Sequence, residues 1–122
     1  MMPATAYDIV VVGSGPAGQK AAIQGAKAGK KVVLIEQEPG IGGNCVYRGT
    51  IPSETLRETA VQYERLKRSS EVFEGKMRLD VPMTALLHRL DEVVKAHECY
   101  MAGQLTRNGV TYRHGRARLL SP

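Results

Sequence analysis

The hydrophobic pattern predicts a strand, a helix and a second strand within the first 36 residues. Residues 9–12 form a short β-branched apolar run that stops at Gly13, which is typical of a buried parallel strand. An alanine-rich segment from residue 16 to about residue 28 has helical character, and a second apolar run over residues 31–36 ends in Glu36. This order predicts a βαβ unit and therefore an α/β fold with a parallel central sheet.

The next segment is rich in glycine and leads into a second helical pattern. Glycines recur between residues 36 and 53, so we expect no regular element there but close approach of its backbone to another group. The helix is predicted to begin around Pro52, with Ser53 as the candidate N-cap and Glu54 in the first turn. Its apolar positions at helical spacing indicate packing rather than chemistry.

A third helical pattern and a final strand follow. Residues 80–82 begin the helix, and Gly109 is placed to cap its C-terminus. On this helix we expect His97 to be a partly buried packing histidine and Cys99 a packing thiol. Residues 110–113 then predict a strand and residues 115–119 a further short extended piece.

Composition narrows the class of protein. The 122 residues, 43% of them apolar, allow one domain with a modest core. No apolar run reaches membrane-spanning length and no signal peptide is evident, so we expect a cytoplasmic chain without a membrane partner. The net charge is +5, and the bases over residues 57–71 alternate with acids, as on a solvated helix face. The denser bases near the C-terminus (Arg113, His114, Arg116 and Arg118) lack interleaved aromatics, so we expect no nucleic-acid partner. Cys45 and Cys99 form no metal-ligand spacing, so no metal site is indicated.

The turn after the first predicted strand contains a motif typical of phosphate binding. Residues 13–18, called the phosphate turn below, contain G-x-G-x-x-G: Gly13 for the tight turn, Gly15 for close approach to a pyrophosphate and Gly18 for helix–strand packing. The positive end of the following helix would face the phosphates. Glu36 lies 21 positions after Gly15, where a carboxylate would accept hydrogen bonds from ribose hydroxyls. Because strand, glycines, helix, strand and acid occur in order, we favour a dinucleotide site over a plain glycine turn.

The motifs GSGPAG, Glu36 and GGNCVYRGTIPS, in this order, resemble the N-terminal FAD-binding segment of the flavin-dependent pyridine nucleotide–disulfide oxidoreductases. The resemblance covers nearly all of the chain and implies a Rossmann-like FAD-binding domain, with FAD rather than NAD as the ligand. It implies that the phosphate turn holds the pyrophosphate, Glu36 the adenosine ribose and residues 42–45 the flavin end. The cofactor-binding candidates are Gly13, Ser14, Gly15, Pro16, Ala17, Gly18, Glu36, Gln37, Gly42, Gly43, Asn44, Cys45, Thr50, Gly115 and Ala117.

Two departures from the family pattern bear on activity. Thr50 stands where the disulfide branch has its second cysteine, so a dithiol–disulfide relay through Cys45 is not expected. This form resembles the soluble, Si-specific pyridine nucleotide transhydrogenases, in which FAD passes a hydride from NADPH to NAD⁺. Glu54 stands where the resembled family has a lysine near the flavin ring. The resemblance therefore implies a change in flavin affinity or in the redox potential of the flavin. Cys45 is either a packing residue or a thiol with a remaining redox role, and no other catalytic residue is proposed.

The alternatives are a dihydrolipoamide-dehydrogenase-like reductase or NAD(P)H oxidase that lacks the redox disulfide, and a non-catalytic, truncated nucleotide-binding remnant. We expect residues 1–122 to be the N-terminal part of an FAD-binding domain, truncated at the C-terminus and inactive on its own. We expect the nicotinamide-binding and dimerisation domains of the resembled family to be absent from these residues. NAD and NADP would then be substrates of a full-length enzyme only, and that enzyme would be a homo-oligomer.

Overall fold

The computed structural model describes residues 6–72 and 80–121. In these residues three strands and four helices follow the order expected for an α/β protein. The elements are β1 (Ile9–Val12), α1 (Pro16–Lys27), β2 (Val32–Glu36), α2 (Gly43–Tyr47), α3 (Thr50–Val72), α4 (Met83–Arg107) and β3 (Thr111–His114).

The three strands form one parallel sheet in the order β1-β2-β3. Val10 pairs with Val33, and Leu34 pairs with Tyr112, so β2 is hydrogen-bonded on both sides. The predicted α/β fold with a parallel central sheet and a βαβ start is confirmed. All three strands end at the same edge of the sheet, which places the segments that follow them side by side.

The core lies between one face of the sheet and the helices α1 and α4. Leu34 of β2 and Ala22 of α1 are fully buried, and Leu105 of α4 is 2% exposed. Burying a leucine side chain completely contributes about 1.5–3 kcal/mol, so β2 and the end of α4 stabilise the domain together. On the opposite face, Val10 and Val12 of β1 are exposed.

The helix boundaries after β2 differ from those predicted. The glycine-rich segment contains α2, so the prediction of no regular element there was wrong; the fully buried Val46 anchors this short helix. Helix α3 begins at Thr50, before Pro52. Ser53 therefore lies inside the helix, and its hydroxyl donates to the carbonyl of Thr50 at 3.1 Å instead of capping the N-terminus.

The second half of the chain follows the prediction more closely. Helix α4 begins directly after Pro82, and the strand predicted over residues 110–113 is β3. Gly109 follows the helix with a φ of +70°, as expected for a C-terminal cap. The extended piece predicted over residues 115–119 is not a strand, because only the Gly115 N–H continues the ladder, to the carbonyl of Glu36 at 2.7 Å.

Two side chains on α4 were predicted to pack, with different outcomes. His97 is half-buried, as predicted. Cys99 is exposed, so the prediction of a packing thiol was wrong; its position falls outside the apolar face that meets the sheet. None of the helices within the described ranges combines the length and the apolar content that a membrane span requires.

Candidate functional site

The carboxyl edge of the sheet brings together segments that are far apart in sequence. The Gly13 N–H donates to the carbonyl of Ile35 at 2.8 Å, which fixes the phosphate turn against the end of β2. The Gly115 N–H fixes the segment after β3 to Glu36 in the same way. Binding sites of parallel α/β sheets form at this edge, so the topology itself favours a ligand here.

A cavity of about 200 Å³ opens at this edge. It includes five of the residues predicted from the sequence, drawn from the ends of all three strands. Arg116 also lines it and was missed, because in sequence it is only one of several scattered bases. The lining residues are Val12, Gly13, Ile35, Glu36, Gln37, Gly115, Arg116 and Ala117.

The three glycines of the phosphate turn have different surroundings. Gly13 has a φ of +97°, which a side chain would strain. A Cβ on Gly18 would collide with the carbonyl oxygen of Gly13 and would lie 3.3 Å from Cγ1 of Val11, so the helix touches both the turn and the strand there. Gly15 has an ordinary φ of −63°. No atom of the described residues lies within 4 Å of a Cβ built on Gly15, so the space in front of it is open to a ligand.

The N-terminus of α1 faces this open space, and no side chain of its first turn neutralises the partial positive charge of the helix dipole there. Gly15 is the N-cap, Pro16 begins the helix, and neither a capping side-chain hydrogen bond nor an acid in the first turn is present. The first intrahelical bond runs from the Gln19 N–H to the Gly15 carbonyl at 3.0 Å. The N–H groups of Ala17 and Gly18 precede it, and such groups bind anions together with the helix dipole.

Glu36 is only 6% exposed, yet its carboxylate is ionised. Its Oε2 accepts from the Ser14 N–H at 2.8 Å and from the Ser14 hydroxyl at 2.7 Å, and its Oε1 accepts from the Glu38 N–H at 2.9 Å. Burial alone would raise the pKa of Glu36, but these donors hold it below its ordinary value. A carboxylate has about four acceptor sites, so Oε1 retains capacity for a hydroxyl of a ligand.

Ser14 was predicted as a cofactor contact, but its side chain is fully buried. Its hydroxyl lies between Glu36 and the segment of residues 42–45, the GGNC segment, because it also accepts from the Gly42 N–H at 3.0 Å. The side chain therefore contacts the acid and not the cavity. This arrangement spans 22 positions between Ser14 and Glu36, and no sequence signal indicated it.

The GGNC segment packs directly on the phosphate turn. Gly43 has a φ of +63°, and a Cβ there would lie 2.9 Å from the Cα of Gly15. Half-buried Cys45 lies on α2 and exposed Thr50 begins α3; both cysteines of the chain are free thiols. Two of the predicted residues, Gly43 and Asn44, line a second, larger cavity of about 460 Å³. Its lining residues are Glu38, Pro39, Gly40, Gly43, Asn44, Tyr47, Arg48 and Glu98.

Tyr47 is a residue of this second cavity that the sequence did not single out. Its hydroxyl is buried and has no hydrogen-bond partner within residues 6–72 and 80–121. Burial and the neighbouring Glu98 carboxylate raise the pKa of Tyr47 to about 12, so the phenol is neutral. A Cβ on Gly40 would collide with this hydroxyl, so glycine at that position makes room for the ring. No group of acidic, histidine or cysteine side chains in the described part of the chain is arranged to hold a metal ion.

Comparison with known proteins shows which family this chain resembles. The sequence pattern of the pyridine nucleotide-disulphide oxidoreductase family matches residues 7–121. The soluble pyridine nucleotide transhydrogenase of Mycobacterium tuberculosis (strain ATCC 25177 / H37Ra) is 44% identical over 118 residues, which are 95% of this chain and 25% of that protein. The protein of the same name from Ectopseudomonas mendocina (strain ymp) is 55% identical over 56 residues, which are 46% of this chain and 12% of that protein. The chain thus spans about a quarter of the length of the first of these relatives. Since the family pattern covers almost all of it, the chain belongs to the pyridine nucleotide-disulphide oxidoreductase family.

Proposed function

We propose that this chain binds FAD and forms the flavin-binding part of an oxidoreductase that transfers a hydride from NADPH to NAD⁺. The observation that carries the proposal is the cavity at the carboxyl edge of the sheet. There Gly13 at the start of the phosphate turn, Glu36 and the segment of Gly115 and Ala117 line one space. These are the subsites that an adenine dinucleotide needs: a phosphate cradle, a ribose acceptor and a flat backbone for the base.

The residues present fit the cofactor. The open space in front of Gly15 and the uncapped N-terminus of α1 suit the pyrophosphate. The remaining acceptor capacity on Oε1 of Glu36 suits a ribose hydroxyl, and Gly43 brings the GGNC segment against the same turn. When bound, FAD supplies the hydride chemistry, and the chain binds and orients it.

Transhydrogenation is favoured over a thiol-dependent reaction by two observations. The relatives described above are named soluble pyridine nucleotide transhydrogenases. Both cysteines are free, and Thr50 follows Cys45 where a partner thiol would be needed. The lipoamide-reductase alternative requires such a pair. We further propose that the nicotinamide nucleotides bind outside these 122 residues, because the sequence contains a single G-x-G-x-x-G motif.

FAD binding is tested by titrating the purified chain with FAD and following the change in flavin fluorescence. We expect saturable binding by the wild type and by Gly103→Ala, a glycine control on α4 away from the cavity at the sheet edge. Gly15→Leu should remain folded by circular dichroism but lose FAD, because the side chain fills the space for the phosphates. A wild-type chain that takes up no FAD, or a Gly15→Leu variant that binds it equally well, would refute the site.

The reaction is tested separately, as hydride transfer from NADPH to an NAD⁺ analogue that absorbs at its own wavelength. The assay uses the complete polypeptide that contains this chain, loaded with FAD. We expect activity that survives Cys45→Ser and thiol alkylation. Activity with dihydrolipoamide that is lost on alkylation would favour the reductase instead.

A further inference from the structure

Ser14 makes more polar contacts than any neighbour in the phosphate turn, although it is fully buried. Its hydroxyl and its N–H both donate to Oε2 of Glu36, and the hydroxyl accepts from the Gly42 N–H. Its carbonyl accepts from Nε2 of Gln19 at 2.8 Å, and the same Nε2 contacts Sδ of Met101 on α4 at 3.0 Å. Ser14 therefore joins β2, the GGNC segment and α1, and α1 reaches α4 through Gln19.

We propose that Ser14 is a positioning residue: it holds the Glu36 carboxylate between the phosphate turn and the GGNC segment so that Oε1 faces the ribose diol of the bound nucleotide. This rests on the proposed function, because the diol belongs to the adenosine of FAD. It goes further in giving Ser14 a role through Glu36 and not through contact with the ligand.

The geometry supports a positioning role because both donors of Ser14 reach the same oxygen. With Oε2 fully engaged, rotation of the carboxylate would break two hydrogen bonds at once, so Oε1 keeps its orientation. Gln19 is 6% exposed and holds the Ser14 backbone from the opposite side. A carboxylate held in this way before binding loses little freedom when the ligand arrives.

The groups around Glu36 allow its charge to be followed. The phenols of Tyr47 on α2 and Tyr112 on β3 have pKa values raised by burial and by nearby carboxylates, so they stay neutral in acid. Arg116 lines the same cavity. Two further acids lie near this site: Glu38, whose N–H donates to Oε1 of Glu36, and Glu98, which acts on both tyrosines. The His114 ring contacts the carbonyl of Gln37, and a His114→Gln background removes that imidazole from the comparison.

The first experiment compares binding of ADP and of 2′,3′-dideoxy-ADP by isothermal titration calorimetry to the full chain. The variants are Ser14→Ala and the control Ser69→Ala, an exposed serine whose hydroxyl bonds within α3. We expect Ser14→Ala to weaken ADP about tenfold and dideoxy-ADP less than about twofold, because only the diol uses the positioned oxygen. Equal losses with both ligands would show a general structural role and overturn the proposal.

The second experiment needs no ligand. Carbon-detected NMR follows the side-chain carboxyl of Glu36 against pH in the wild type, in Ser14→Ala and in Ser69→Ala, each in the His114→Gln background. Loss of the hydroxyl donor should move the titration of Glu36 upward in Ser14→Ala only. An unchanged titration would refute the link between the two residues, even if ADP and FAD bind.

The two readouts separate the two proposals. If the wild type binds neither FAD nor ADP but the carboxyl shifts in Ser14→Ala, the proposed function fails and the Ser14–Glu36 link stands without a ligand. If Ser14→Ala does not fold, Ser14→Cys keeps the volume with a weaker donor, and an intermediate shift of the Glu36 titration is expected. A Ser14→Cys variant identical to wild type in both experiments would overturn the proposal.

Discussion

Alanine substitutions in the phosphate turn should separate the glycine that the fold needs from the glycine that the ligand needs. In Gly18→Ala the new Cβ would collide with the carbonyl oxygen of Gly13 and would lie 3.3 Å from Cγ1 of Val11. The oxygen belongs to the backbone, and the Gly13 N–H is itself bonded to Ile35, so the turn cannot easily yield. Helix α1 would have to move away from β1 by more than about 1 Å to reach ordinary contact.

The expected magnitude follows from two opposing effects. Replacing glycine by alanine inside a helix stabilises it by about 1 kcal/mol. Overpacking a close contact costs about 1–3 kcal/mol, and a contact with backbone belongs at the upper end of that range. We therefore expect Gly18→Ala to lower the free energy of unfolding by about 2 kcal/mol, which is a large part of the stability of a small domain.

Urea unfolding followed by circular dichroism measures this loss. Gly25→Ala is the matched control on the same helix, because its Cβ would meet the ends of the Ile9 and Val32 side chains at 2.8 and 3.2 Å, and side chains can move. Gly15→Ala should unfold like the wild type but bind FAD more weakly. A Gly18→Ala variant as stable as Gly25→Ala would refute the argument that helix and strand touch at Gly18.

Three further predictions concern Glu36, Tyr47 and Gly43. The pKa of Glu36 is lowered from about 4.5, so its contribution to stability is complete above that pH and is lost as pH falls through the folded value. The difference in urea midpoint between wild type and Glu36→Gln should therefore shrink as pH is lowered below about 4.5; a constant difference would contradict the assignment. Tyr47→Phe should remove a phenol that ionises near pH 12 in an absorbance titration, without loss of stability at neutral pH, because the buried hydroxyl makes no hydrogen bond of ordinary geometry in the described residues, although the Glu98 carboxylate lies near it. Gly43→Ala should destabilise by at least about 1–2 kcal/mol, from its positive φ and from contact with Gly15, and unchanged thermal unfolding would show that the GGNC segment does not need this conformation.

The first βαβ unit was predictable because its signals are local. The apolar runs of β1 and β2, the glycine spacing and the acid at the end of β2 each follow from neighbouring residues. Gly115 and Ala117 were candidates only through the family resemblance, and the structure shows that they line one cavity with Gly13 because parallel strands end at one edge.

The rest depended on contacts between distant residues. Helix α2 forms inside a glycine-rich stretch because its own residue Val46 is fully buried against the rest of the domain. Glycine content alone predicts a stretch without regular structure. The bond from Ser14 to Glu36 and the collision that excludes a side chain at Gly40 involve pairs that no periodicity connects. Sequence patterns located the site but not the side chains that hold it together.

The carboxylate of Glu36 is the strongest physical argument that this edge binds a ligand. Burying a carboxylate costs several kcal/mol, and hydrogen bonds from Ser14 and Glu38 offset that cost, since they hold the pKa of Glu36 below its ordinary value. These donors use only part of the acceptor capacity of the carboxylate. An acid becomes useful if its remaining acceptor capacity on Oε1 binds donors from outside, and ribose hydroxyls beside an anion-binding helix N-terminus are donors of that kind. The same reasoning applies to Gly15, whose missing side chain serves no packing contact in the described residues and leaves room for the phosphates.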